Sequence, residues 1–173
     1  MPEARLTPTD HGLVPEGEGW FVLNASKAAW KQNAKFGRWV AFENDVRFGE
    51  IGLNIHVLEP GQAACMYHRE EAQEDFLVLS GECLLLVDEE ERKLGAWDLF
   101  HCPPGVNHVF VGAGHGPCAI LMIGARKKDC PIVYPVSELA RRHGAGVAVE
   151  TPNPKEAYAD IPPSEPIRSP WPL

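Results

Sequence analysis

A chain of 173 residues, 45% of them apolar, suits one globular domain with a sizeable core; two compact domains would be cramped. The 24 acidic and 16 basic residues leave a net charge of −8, which argues against nucleic acid or anionic membrane as a main partner, since both need a basic footprint. No apolar run approaches the ~20 residues of a spanning helix, and no targeting segment precedes the first pattern, so a cytoplasmic location is expected. The five cysteines (Cys65, Cys83, Cys102, Cys118, Cys130) lack the paired spacing of a zinc ribbon or redox motif, so reduced, mostly buried thiols are expected.

In chain order, the start is polar and broken by proline. Short runs rich in Val, Leu, Ile and Phe then recur, separated by Gly, Pro or acidic clusters. They predict strands at Trp20–Asn24, Arg38–Glu43, Gly52–Leu58, Ala64–Arg69, Asp75–Leu79, Cys83–Asp88, Asp98–Cys102, His108–Val111 and Cys118–Arg126. A helical turn or two is expected at Ala25–Lys31. Turn signals at Pro60-Gly61, Ser80-Gly81, Pro103-Pro104-Gly105 and Gly112 to Pro117 fall between the runs, and the acidic stretch Asp88 to Glu91 reads as a solvated turn. So many short strands with little helix imply a sandwich or closed barrel. Ser137 to Gly144 then carries a capping serine, good helix formers, basic residues in the last turn and a glycine beyond, which predicts a helix. A second short helix opens at Asn153-Pro154. Seven of the 16 prolines lie between Pro152 and Pro172, so this tail should be extended and lie on the barrel or on a partner.

The chemistry concentrates in Met66 to Gly81. Residues two apart on a strand share a face, so His68 and Glu70 point the same way, and so do Glu74, Phe76 and Val78. Glu71-Ala72-Gln73 is short enough to return the chain as a hairpin, bringing an imidazole and two carboxylates together. His108, just after the turn at Gly105, would share an inward face with Phe110. Two imidazoles with one or two carboxylates suit a first-row divalent metal; they are too hard for copper(I) and too nitrogen-rich for calcium. The expected ligands are His68, Glu70, Glu74 and His108, around one ion of Zn, Fe, Mn, Ni or Co. The expected pocket wall is His101, Phe76, Val78 and Phe110, with Leu86 as barrel packing. His56 is a further candidate lining residue, and Tyr67 should face outward. Leu77 and Leu79 point away from Glu74 and Phe76, so the outer face needs a cover, which predicts a homodimer.

These residues resemble the cupin family. Its first motif, G-x5-H-x-H-x3/4-E-x6-G, is matched by His68, Glu74 and Gly81, with Glu70 at the second histidine position. Its second, G-x5-P-x-G-x2-H-x3-N, is matched by Pro103, Gly105 and His108. The likeness is to single-domain bacterial cupins with a histidine-x-glutamate first motif. It departs from the pattern at Glu70, at Gly61 (one residue out of place), at Trp97 for a glycine and at Gly112 for an asparagine. With Glu70 as ligand, the charge at the site falls from plus one to zero, which would hold a divalent ion firmly and leave bound water less acidic. The resemblance implies an all-β fold, a double-stranded β-helix or jelly-roll barrel. Residues 1–45 would supply N-terminal strands packing on it, 46–130 the barrel, and 131–173 a C-terminal helix and proline-rich tail. It leaves three readings: metal-dependent action on a small organic molecule (dioxygenase, isomerase or decarboxylase), non-catalytic binding or sensing of such a molecule, and a structural barrel.

Overall fold

The computed structural model describes residues 1–172. Its strands are β1 (Arg5–Thr9), β2 (Gly12–Glu16), β3 (Trp30–Asn33), β4 (Gly37–Ala41), β5 (Ile51–Leu58), β6 (Arg69–Glu70), β7 (Glu74–Ser80), β8 (Glu82–Val87), β9 (Glu90–Gly95), β10 (Leu99–Cys102), β11 (His108–Ala113), β12 (Cys118–Ala125), β13 (Ile132–Val133) and β14 (Glu165–Ile167). Two short helices, α1 (Glu138–Arg142) and α2 (Pro154–Ala157), follow the barrel strands. The side chains of Ser137 and Asn153 cap them as the sequence predicts. Among the described residues, no helix is long and apolar enough to cross a membrane.

The strands form a double-stranded β-helix of two facing layers. The larger is an antiparallel sheet in the order β10-β7-β12-β5-β4-β3-β14; the smaller is β11-β8-β9. Bridges from Ala63 to Val111 and from His68 to His108 attach the β6–β13 pair to the free edge of β11. Period-two alternation does the rest. Phe76 and Val78 of β7, Ile120 of β12 and Leu58 of β5 meet Leu85 and Phe110 of the smaller sheet in one buried cluster. The opposite face of the smaller sheet buries Leu86, Val109 and Val111 against Tyr67 and against Leu139 and Ala140 of α1. Leu86 therefore packs outside the barrel. Tyr67 points away from the interior as expected, yet is only 1% exposed because the C-terminal segment covers it.

Several local expectations yielded to long-range pairing. Trp20–Asn24 forms no strand; only an isolated bridge from Glu3 reaches Trp20. The chain start instead forms the β1–β2 hairpin, unforeseen because Pro8 and Pro15 lie in it. A two-stranded ribbon has an open edge on each side, where a missing N–H costs little. Ala25–Lys27 is one 3-10 turn. Glu71 to Gln73 makes no hairpin: β6 joins the smaller layer and β7 the larger, so this connection crosses between sheets. Only Asp88 and Glu89 form the acidic turn, both with positive φ, and β9 begins at Glu90. The tail supplies β14 at the outer edge of the larger sheet, where Pro166 is tolerated.

Two turns explain the glycine pattern. At Gly81, φ is +75° and an added Cβ would sit 2.5 Å from the Pro117 carbonyl oxygen, so a side chain is excluded twice over. Trp97 holds the same left-handed φ, +75°, although it carries a side chain; the indole escapes into solvent.

Candidate metal centre

β6, β7 and β11 deliver the site from both layers. His68 and His108 exchange backbone hydrogen bonds, His68 N to His108 O at 3.2 Å and His108 N to His68 O at 2.8 Å. This pairing sets the imidazoles side by side with centroids 4.9 Å apart. Each ring is fixed by the carbonyl two residues before it: His68 Nδ1 lies 2.8 Å from Met66 O and His108 Nδ1 lies 3.1 Å from Val106 O. A carbonyl oxygen only accepts, so Nδ1 carries the proton and Nε2 keeps its lone pair. Those lone pairs face carboxylates. His108 Nε2 is 3.4 Å from Glu74 Oε2, and His68 Nε2 is 3.9 Å from Glu70 Oε1.

One donor atom each from His68, Glu74 and His108 lie within 4.8 Å of one another. Glu70 lines the same cavity but stands outside this cluster, with a third of its side chain exposed. The electrostatics suit cation binding. Burial holds His108 down to about 3, helped by His68 and opposed by the Val106 carbonyl, and burial also lowers His68. Burial, reinforced by the charge of Glu70, pushes Glu74 up to about 8. In the absence of a cation the cluster thus favours neutral groups: two neutral imidazoles with free Nε2 lone pairs, and a carboxyl whose proton a cation would displace.

Two thiols lie behind the rings. Cys65 Sγ is 3.7 Å from His68 Nδ1 and Cys102 Sγ is 3.5 Å from His108 Nδ1, in each case the nitrogen turned to a backbone carbonyl. Burial pushes the Cys65 thiol up, and Cys102 up to about 12, and both sulfurs sit at Nδ1, outside the cluster of His68, Glu74 and His108 donors.

The cavity at the cluster measures about 310 Å³. Phe76 and Phe110 line it, and so does His56. Val78 points inward but is 1% exposed, packed in the core beneath the wall. His101 is a correction. Its side chain is exposed on the outer face with Nδ1 2.7 Å from Asp75 Oδ1, while Cys102 turns inward. The register decides it: Phe100 pairs with Phe76 and Cys102 with Glu74, so His101 takes the other face. Asn54, Cys65 and Arg126 also line the cavity without having been singled out. Asn54 was within reach of sequence reasoning, because it lies two residues from His56 on one strand.

Residues 54–124 match the family model of the cupin domain. No curated protein sequence matches the chain. Among solved structures, a sugar phosphate isomerase of the cupin superfamily from Silicibacter pomeroyi is 27% identical, over 49% of this chain and 56% of its own, with a TM-score of 0.46. The polyketide cyclase RemF from Streptomyces resistomycificus is 18% identical, over 58% of this chain and 71% of its own, at 0.50. A cupin protein from Bacteroides fragilis is 20% identical, over 54% and 80%, at 0.48. The chain spans little more than half the length of the isomerase, and the likeness to RemF bears on the fold alone.

Proposed function

The chain carries a cupin domain, and from that premise we propose that it holds one divalent first-row metal through His68, Glu74 and His108 and acts there on a small organic molecule. The observation that carries this reading is the pair of Nδ1-to-carbonyl contacts, which leave the Nε2 lone pair of His108 facing Glu74 and that of His68 facing Glu70, with His68, Glu74 and His108 donors clustered together. A bound ion would act as a Lewis acid, with positions left open for a ligand that chelates through two oxygens.

The chain's own residues divide the work. Met66 and Val106 hold the imidazoles in one tautomer and orientation. Glu74 brings its oxygen across from the opposite sheet, so ligand binding also ties the two layers together. Glu70 is placed to accept a hydrogen bond from a ligand hydroxyl, or to swing in as a fourth donor. Phe76 and Phe110 keep water from the inner wall. Isomerase, decarboxylase and dioxygenase chemistry all fit this frame, and a ligand recovered unchanged after binding would instead indicate a sensing role.

Metal analysis tests the proposal. Protein purified without chelators and offered Zn, Mn, Fe, Co or Ni should hold about one equivalent of one of them. His68→Ala and His108→Ala should each abolish stoichiometric binding while the far-ultraviolet spectrum stays β-rich. Wild-type protein that retains no ion from that panel would overturn the reading.

A further inference from the structure

A second cavity, of about 300 Å³, adjoins the one at the metal cluster. Phe36 and Trp39 form one of its walls, and Tyr158, Ile161 and Pro162 of the C-terminal arm roof it. His56, Ala64 and Cys65 line both cavities, so a single layer of side chains separates them, and the smallest of these is the methyl of Ala64. Trp39 stacks on His56 with centroids 5.9 Å apart and planes 14° apart, a flat surface beginning at the partition. On the same face of β5, His56 Nδ1 and Asn54 Oδ1 are enclosed without any protein partner. Both residues line the cavity at the cluster, so a ligand there has them as polar neighbours.

The roof is fixed in place. Tyr158 accepts a hydrogen bond from Met66 N at 3.1 Å, next to the metal strand, and packs edge-on against Phe36 at 5.6 Å. Asn33 Nδ2 donates to Pro162 O at 2.7 Å. Each cavity alone lies at the bottom of the ~300–1,000 Å³ range of small-molecule sites; joined, they fall well inside it.

We propose that the ligand of this chain is elongated, with an oxygen-chelating head at His68, Glu74 and His108 and a flat apolar tail that passes Ala64 into the lobe beneath the C-terminal arm. Asn54 and His56 meet the polar atoms of the segment between head and tail. The inference rests on the metal reading above, and its test separates the two.

Cobalt(II)-loaded protein is titrated with two chelators sharing one head, acetohydroxamate and 4-phenylbutyrohydroxamate, following the visible cobalt absorption. Burying one phenyl ring should make the longer probe bind about 10- to 100-fold tighter. Ala64→Leu, which fills the partition, should remove most of that gain, read as the ratio of the two affinities. Ile161→Trp fills the lobe from the arm side and should do the same, so the test survives if one variant fails to fold. Equal affinity for the two probes, or a gain that persists in both variants, overturns the proposal while leaving the metal site standing. Protein that holds no cobalt, or whose spectrum acetohydroxamate does not alter, overturns the metal reading and the elongated ligand with it.

Discussion

His56 gives a test of the cavity that needs no metal. It lies on the inner face of β5, stacked on Trp39, with Nδ1 enclosed and unpartnered. Burial lowers its pKa from 6.5 to about 4. At ~1.4 kcal/mol per unit this corresponds to about 3–4 kcal/mol, an upper figure because the residue keeps some exposure at the cavity wall. Above pH 6.5 the ring is neutral in both states and its contribution to stability is fully present. Between pH 6.5 and 4 the unfolded chain takes up a proton that the folded chain refuses, so stability falls as pH falls; below 4 the loss is complete. The assay is urea unfolding of metal-free protein at pH 7.5 and 4.5, for wild type and His56→Gln. Over that interval, which stops short of the folded pKa, wild type should lose up to about 2–3 kcal/mol more than the variant. The burial-lowered His68 and His108 are present in both proteins and cancel in the difference. Equal losses, or a nuclear magnetic resonance titration placing His56 near 6.5, would refute the argument.

Replacing Glu70 by alanine should leave one metal equivalent bound with affinity reduced less than about tenfold, whereas Glu74→Ala should cost more than that, read by competition with a metallochromic chelator. Phe110 is 2% exposed and packs on Phe76 and Phe100 with centroids at 4.9 and 6.1 Å, so Phe110→Ala should destabilise by about 3–5 kcal/mol in denaturant melts. The outer face of the larger sheet is covered in cis only in part. Leu79 packs against the buried cluster of Ala28, Trp30, Val40, Val57 and Ala119, as do Leu23 and Ala25, but Leu77 and Leu121 join no buried cluster and Leu99 is 66% exposed. We therefore expect a solution mass of two chains, reduced to one by Leu121→Glu; a wild-type mass of one chain would remove the basis for a dimer.

Some of this protein could be read from short stretches of chain. His68 and Glu74 flank one short connection, and His108 follows the turn at Gly105, so local turn chemistry and spacing brought three chelating residues into view. The caps of α1 and α2 were legible for the same reason, because Ser137 and Asn153 act on amides two or three residues away. Tertiary structure decided whatever depends on a distant partner. Period two permits either face for His101; only the pairing of β10 with β7 turns it outward and Cys102 inward. Glu71 to Gln73 reads locally as a hairpin, yet β6 pairs with β13, and His68 just before it bridges to β11, in the other layer. The second cavity has walls drawn from β3, β4, β5 and an arm more than a hundred residues later, and no local pattern encodes such a shape. The sequence by itself thus determined which side chains can chelate, since that is a matter of residue type and near spacing. The space around them is the product of long-range packing, and only the folded chain defines it.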